Sequence, residues 1–336
     1  MAGYVPGEQP REGRVVKLNT NENPYPPSPR VFEALREALT GDCLRRYPDP
    51  TGRAFRVAAG NSLGIDPESI LIGNGSDDVL TILTRAFVPQ GGRIAAPTPS
   101  YILYRALAEI QGARFSLIPF DADWQLPAIW PIADAHLGFL PNPNSPSGTM
   151  VSHSLIRSIA DSLSGPLVLD EAYGDFAIEN GLSLVGRKIV VTRSLSKSYA
   201  LAGIRFGFAV ADPATIYELN KVRDSYNCDA LSLTAATAAM EDRDWLRTNC
   251  DRVIATRERM TSALAELGFT VTPSQANFVW CRRTDRPHKP IYEALRGRGI
   301  LIRYMDYAKY GDGLRISVGT DAEIDALLEV LADILG

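Results

Sequence analysis

Between about residues 69 and 211, short apolar and β-branched runs alternate with longer stretches whose apolar residues recur three and four positions apart. Runs too short for a helix, set between amphipathic helical stretches, predict an open α/β sheet with crossover helices. The strand candidates are 69–72, 93–96, 114–119, 135–140, 167–170, 188–192 and 206–211, with helices expected in most of the intervals. After Asp212-Pro213 the pattern changes to helical periodicity over 230–267, then two strand-like runs, 276–281 and 314–318, and a terminal helix. That tail predicts a smaller α+β unit. Asn23-Pro24-Tyr25-Pro26-Pro27-Ser28-Pro29 cannot pair as a central strand, because proline lacks the donor N–H, and should form an extended arm ahead of a helix over 29–39. The expected division is an arm with part of the small domain over 1–40, a large domain over 41–225 and a small domain over 226–336.

Composition narrows the class of protein. A chain of 336 residues with 45% hydrophobic content can bury a large core, most simply in two domains. With a formal net charge of −4 and no run of lysine or arginine, no nucleic-acid or anionic-membrane surface is indicated. Cys43, Cys228, Cys250 and Cys281 form no Cys-x-x-Cys pair, and His136, His153 and His288 show no metal-ligand spacing, so neither a disulfide framework nor a metal site is signalled. Met1 to Pro10 lacks the basic-then-apolar pattern of a signal peptide, and no uncharged apolar run reaches the roughly 18 residues of a membrane span. A reducing cytoplasm is the expected location.

The densest chemistry lies in Ser194-Leu195-Ser196-Lys197-Ser198-Tyr199-Ala200-Leu201-Ala202-Gly203-Ile204-Arg205, directly after a β-branched run. A lysine held at a strand end near an arginine has a depressed pKa, and a neutral amine forms a Schiff base with a carbonyl. Ser194, Ser196 and Arg205 around it make a phosphate cradle, so the set suggests pyridoxal 5′-phosphate bonded to Lys197. Asp170 ends the apolar run Leu167-Val168-Leu169, one connection earlier, where a carboxylate can pair with the pyridine nitrogen. On its own it would read as a turn cap, but Lys197 reverses that weighting. Tyr173 is placed to contact the ring's phenolic oxygen. Gly73-Asn74-Gly75-Ser76-Asp77-Asp78 opens a helix, and a helix N-terminus binds phosphate, although Gly-x-Gly-Ser alone is a promiscuous signal. Tyr101 opens another helix, either stacking on the pyridine face or packing on the core.

Together these blocks resemble the fold-type I aminotransferases and, within them, the histidinol-phosphate aminotransferase family. The likeness spans nearly the whole chain. It is carried by Tyr4-Val5-Pro6-Gly7, Leu18-Asn19-Thr20-Asn21-Glu22-Asn23-Pro24-Tyr25, Arg46-Tyr47-Pro48-Asp49-Pro50, the Asp170 and Lys197 blocks, and Leu314-Arg315-Ile316-Ser317-Val318-Gly319. The resemblance implies a fold-type I pyridoxal-phosphate transferase, with a large domain on a mostly parallel seven-stranded sheet and a smaller α+β domain. It implies that Lys197 bonds the cofactor aldehyde, Asp170 pairs with the ring nitrogen and Tyr173 contacts the ring oxygen. Ser76, Asp77 through its backbone, Ser194, Ser196 and Arg205 would surround the phosphate, and Tyr101 would stack on the ring. Tyr47 would reach the phosphate held by a neighbouring subunit, which makes a homodimer with shared sites. Arg315 and Arg303 resemble the arginines for substrate carboxylate and phosphate, and Tyr25 and Asn277 match pocket positions. The chain departs from the family at Ser145, where asparagine usually precedes Pro-Thr-Gly, so Asn144 and Ser145 are both candidate contacts to the ring oxygen.

The resemblance implies transamination between histidinol phosphate and 2-oxoglutarate, with Lys197 as anchor and acid–base group. Within the same fold the alternatives are an aromatic-amino-acid aminotransferase and a phosphothreonine decarboxylase. From another class, a non-catalytic phospho-ligand-binding protein accounts for the glycine-rich turn and the arginines, but not for Asp170 and Lys197 together. Arg252, Arg257 and Arg259 are expected on a solvated helix face, and Trp124 and Trp130 in packing.

Overall fold

The computed structural model describes residues 8–9 and 15–336, so the Tyr4-Val5-Pro6-Gly7 segment lies outside the described residues. A two-residue strand, β1 (Val16–Lys17), precedes the seven strands of the central sheet. These are β2 (Ile70–Gly73), β3 (Arg93–Thr98), β4 (Arg114–Pro119), β5 (Leu137–Pro141), β6 (Leu167–Asp170), β7 (Ile189–Ser194) and β8 (Gly207–Val210). Each expected run is thus a strand, in the order β2-β8-β7-β6-β5-β3-β4. β8 runs against both its neighbours, and β7-β6-β5-β3-β4 pair in parallel.

Helices Ser76–Phe87, Leu103–Ile110 and His153–Ser162 make the crossovers after β2, β3 and β5. Fewer intervals are helical than the sequence pattern predicts. Short 3₁₀ turns, Gly174–Phe176 and Gly181–Leu184, connect β6 to β7. No helix joins β7 to β8, because an antiparallel neighbour needs no crossover, and the connection is left as an irregular loop that carries Lys197.

The sheet separates two apolar layers, and the strands feed them alternately, as the period-two geometry of a strand requires. Leu167 and Leu169 of β6, with Ile189 and Val191 of β7, enter one cluster; Val168 and Val190 enter the other. This alternation decides which face the polar residues at the strand ends reach.

The second sheet is antiparallel: β9 (Thr270–Thr272), β10 (Phe278–Arg282), β12 (Arg303–Tyr307) and β13 (Gly311–Ser317), in the order β12-β13-β10-β9. Strand β11 (Ile300–Leu301) pairs in parallel with β1 and so ties the amino-terminal arm to this unit. The two expected runs became β10 and β13, the central pair, whereas the edge strands β9 and β12 went unread. Edge strands keep one side open to water, so their polar, aromatic sequence carries no apolar alternation.

The helical run over 230–267 is broken at Asp242 into helices Ala230–Glu241 and Arg243–Glu266. Asp242 leaves helical geometry (φ −104°, ψ 70°) and caps the second helix by accepting from Trp245 N at 3.3 Å. Arg257 corrects the expected solvated face. It lies on the stripe Leu246, Cys250, Val253, Arg257, Met260, Leu264, is only 6% exposed, and donates to Ala276 O at 3.0 Å. The helix spacing buries it regardless of charge, and its head is satisfied by carbonyls.

Candidate active site

In an open α/β sheet the ligand crevice lies beyond the carboxyl ends of the strands. Here the ends of β3, β5, β6 and β7 open into a cavity of about 570 Å³. Its wall includes Ser76, Asp77, Tyr101, Ser145, Asp170 and Tyr173. Ser194, Ser196, Lys197 and Arg205 join them from the β7–β8 connection, and Arg303 and Arg315 from the second sheet.

Lys197 Nζ donates to Thr20 O at 3.0 Å, so the arm residue 177 positions away sets the amine's place. Burial, reinforced by Arg315 and Arg205 against Glu22 and Asp77, lowers the amine from 10.5 to about 8. That raises the neutral, nucleophilic fraction of the amine near neutrality far above that of an ordinary lysine. Asp170, 5% exposed, is pushed up from 3.8 to about 6, chiefly by burial; hydrogen bonds from Tyr104, Ala172 N and Thr192 oppose this, and Asp77 adds to it.

The opposite end of the cavity is rich in donors. Helix Ser76–Phe87 presents its N-terminal turn, whose N–H groups have no intrahelical acceptor. Gly75 leads into it at φ +85°, a left-handed backbone conformation that favours glycine, with Arg205 Nη2 lying 2.8 Å from where a Cβ would stand. Arg205 Nη1 donates to Ser196 Oγ at 3.3 Å, and its Nη2 lies 3.7 Å from Asp77 Oδ2. Tyr101 OH donates to Asp77 Oδ1 at 3.1 Å, which fixes the ring beside this cradle.

From the second sheet, Arg303 and Arg315 are direct cross-strand partners on β12 and β13. Like charges held opposite each other are unfavourable unless an anion comes between them. Arg315 Nη1 donates to Ser145 Oγ and Nη2 to Asn19 O, each at 3.0 Å, which aims the guanidinium. Tyr307 stands near both arginines, its phenol pushed up to about 12 mainly by burial and hence neutral.

Four expected contacts do not reach the cavity wall. Asn144 is 1% exposed and spends its amide on Pro99 O and Ser147 Oγ, holding the turn, while its neighbour Ser145 faces the cavity. Asn277 is fully buried and donates to Asn21 O at 3.0 Å. Tyr25 lies in the core under Arg252, 3.6 Å from ring centroid to guanidinium carbon. Tyr47 is 80% exposed and stacks on Tyr226 at 4.4 Å.

Conversely, the arm supplies more than the sequence showed. Asn21 Nδ2 donates to Tyr173 OH at 2.9 Å, Asn23 Nδ2 to Lys197 O at 3.0 Å, and Glu22 lines the cavity. The regular spacing of Asn19, Asn21 and Asn23 was the available signal. Tyr104 was also missed: it lies in the first turn of helix Leu103–Ile110, three residues after Tyr101, which precedes that helix.

The donor set fits pyridoxal 5′-phosphate: an amine for the aldehyde, a buried carboxylate for the ring nitrogen, and a helix N-terminus with hydroxyls and a guanidinium for the phosphate. The left-handed turn at Gly75 brings the helix N-terminus beside Arg205, so the donors of that cradle converge. The fold and the lysine–aspartate cavity thus define an aminotransferase of classes I and II, and the family so described, Aminotransferase class I and II, matches residues 13–331. A histidinol-phosphate aminotransferase from Rhodopirellula baltica is 56% identical over 98% of this chain and 92% of its own. Another from Geotalea daltonii is 46% identical over 99% of this chain and 97% of its own. The crystal structure of histidinol-phosphate aminotransferase from Sinorhizobium meliloti, in complex with pyridoxal 5′-phosphate, superposes with a TM-score of 0.88 at 28% identity, covering 95% of this chain and 90% of that one. The chain belongs to the histidinol-phosphate aminotransferase family.

Proposed function

We propose that this protein transfers an amino group between histidinol phosphate and 2-oxoglutarate, giving imidazole acetol phosphate and glutamate, a step of histidine biosynthesis. The observation that carries the substrate reading is the in-register pair Arg303 and Arg315 on the wall of the cavity that holds Lys197. Both substrates are anionic, one through phosphate and one through carboxylates, and guanidinium groups accept either. Full-length relatives of the same name support it.

Pyridoxal 5′-phosphate, when bound, supplies an aldehyde that condenses with amines and a ring that draws electrons from Cα. In this reading Lys197 Nζ would hold the aldehyde and, when its amine is free, would hold and move the proton at the substrate Cα. Asp170 keeps the ring nitrogen protonated, and Tyr173, steadied by Asn21, donates to the ring oxygen with Ser145 close by. The N-terminal turn at Ser76 and Asp77, with Ser194, Ser196 and Arg205, holds the phosphate, and Tyr101 packs on the ring. Arg315 takes the substrate carboxylate and Arg303 the substrate phosphate.

The exposure of Tyr47, away from its own cavity, supports a homodimer in which it reaches the neighbour's phosphate. Asn144, Tyr25 and Asn277 act by shaping the turn and arm around the pocket. In this reading the large unit spans 41–225 and the small one 226–336, with residues 1–40 as the arm and part of the small unit, a division that the pairing of β1 with β11 supports. No helix among the described residues is long and apolar enough to cross a membrane. Our reading puts the enzyme in a reducing cytoplasm, which the four free cysteines support.

A single half-reaction tests the substrate. Cofactor-loaded protein mixed with histidinol phosphate should lose the absorbance of the lysine-bound cofactor faster than with phenylalanine or phosphothreonine. Conversion by glutamate but not by histidinol phosphate would leave the aminotransferase standing and remove the substrate; release of carbon dioxide from phosphothreonine would favour the decarboxylase.

A further inference from the structure

Asp170 is held by a side chain that none of the roles above uses. Tyr104 OH donates to Asp170 Oδ2 at 2.7 Å, while Oδ1 accepts from Ala172 N at 3.2 Å and lies 3.5 Å from Thr192 Oγ1. Tyr104 is fully buried, and its ring cannot swing: it stacks on Phe139 at 4.7 Å and 10°, and meets Tyr101 edge-on at 5.6 Å and 87°. The hydroxyl is therefore aimed by packing on two sides.

We propose that Tyr104 is a positioning residue for Asp170: its hydroxyl keeps the carboxylate ionised and oriented toward the ring nitrogen of the cofactor. This rests on the aminotransferase reading of the cavity. The electrostatic setting explains why such a donor is needed. Burial opposes the charge on Asp170, Asp77 at the start of helix Ser76–Phe87 opposes it further, and no guanidinium or ammonium is hydrogen-bonded to it among the described residues. Tyr101, Tyr173 and Thr192 complete the polar groups facing the Asp170–Tyr104 pair, from the two tyrosine-bearing segments and β7. Tyr104 itself is driven far above the ordinary tyrosine range by burial and by Asp170, so it stays a donor throughout the working pH range. A hydrogen bond to a buried charge is stronger than one between neutral groups, so its loss falls directly on the ionised form.

Tyr104→Phe removes the hydroxyl and keeps both ring contacts. We expect the dissociation constant for pyridoxal 5′-phosphate, measured by equilibrium absorbance titration, to rise about 10-fold. The acid limb in the pH titration of the bound cofactor's absorbance should move up by about one unit, because the carboxylate protonates more readily. In an Asp170→Asn background the same change should add little, since the charge it serves is gone. An unchanged affinity and unchanged pH titration would overturn the proposal. An equal loss in both backgrounds would overturn it too, by assigning Tyr104 to packing. The wild-type control separates failures: if the parent protein takes up no pyridoxal 5′-phosphate, the aminotransferase reading falls rather than the role of Tyr104.

Discussion

At the ends of β6 and β7, two polar clusters lie back to back and behave in opposite ways. On one face Asp170, Thr192 and Ser194 follow Val168 and Val190 in the strand alternation, with Asp170 and Ser194 on the cavity wall and Thr192 buried beside Asp170; on the other, Glu171 and Arg193 follow Leu169 and Val191. Behind the cavity, Arg193 reaches Glu171 Oε2 and Asp175 Oδ1, each at 2.8 Å, and Ser198 Oγ donates to Asp175 Oδ2 at 2.6 Å. Burial raises Glu171, but Arg193 beside it favours its charge, and both acids hold Arg193 protonated. In the cavity, burial pushes Asp170 up and Lys197 down, each toward neutrality. Thus residues adjacent in the chain are divided between a clamp that binds the Asp170 and Lys197 segments together and the pair that the proposed function makes reactive. Compensated charge serves structure, and charge held under strain serves reactivity.

Four substitutions break or sharpen that contrast. Lys197→Ala should abolish steady-state transamination, a loss beyond about 10⁴-fold, because it removes both anchor and proton carrier. Calorimetry on the cofactor-free variant should show no comparable loss of stability; normal turnover would end the assignment of Lys197.

Arg193→Met should do the reverse to the balance of effects. The buried Glu171 loses its cationic partner and the half-buried Asp175 loses one of its two hydrogen-bond partners, at a cost of about 3–5 kcal/mol, which lowers the melting temperature on the order of 10 °C. A variant that melts like the parent but has lost turnover would place Arg193 with the reactive face instead.

The smallest effects are the pH signatures of the strained pair in cofactor-free protein. Asp170 titrates near 6 in the fold against 3.8 when exposed, so between these values the folded state keeps a proton that the unfolded chain has released, and stability falls as pH rises. Asp170→Asn should erase that decline. Lys197 titrates near 8 against 10.5, so there the unfolded chain holds the extra proton and stability rises with pH. Lys197→Met should be the more stable protein below about pH 8, by about 1–2 kcal/mol, with the advantage shrinking toward pH 10.5. Calorimetry across pH 4 to 10.5 reads both; flat differences would mean that neither charge is strained.

The sequence by itself determined the central sheet and its reactive edge. Apolar runs such as Leu167-Val168-Leu169 and Val190-Val191 are buried on both faces whatever surrounds them, and the residue types at their ends limit the chemistry to an amine, a carboxylate and an anion cradle. Only the tertiary structure decided what joins them. Tyr104 reaches Asp170 across 66 positions, Thr20 receives Lys197 across 177, and Asn19 meets Arg315 across 296. Strands β9 and β12 emerge because their neighbours offer a ladder; Tyr25 leaves the expected pocket because its ring packs under Arg252, and Asn277 because its amide turns to the arm carbonyl of Asn21. Local periodicity carries burial, which depends on neighbours in the chain; contacts between distant segments depend on how the elements pack, and no periodicity encodes that.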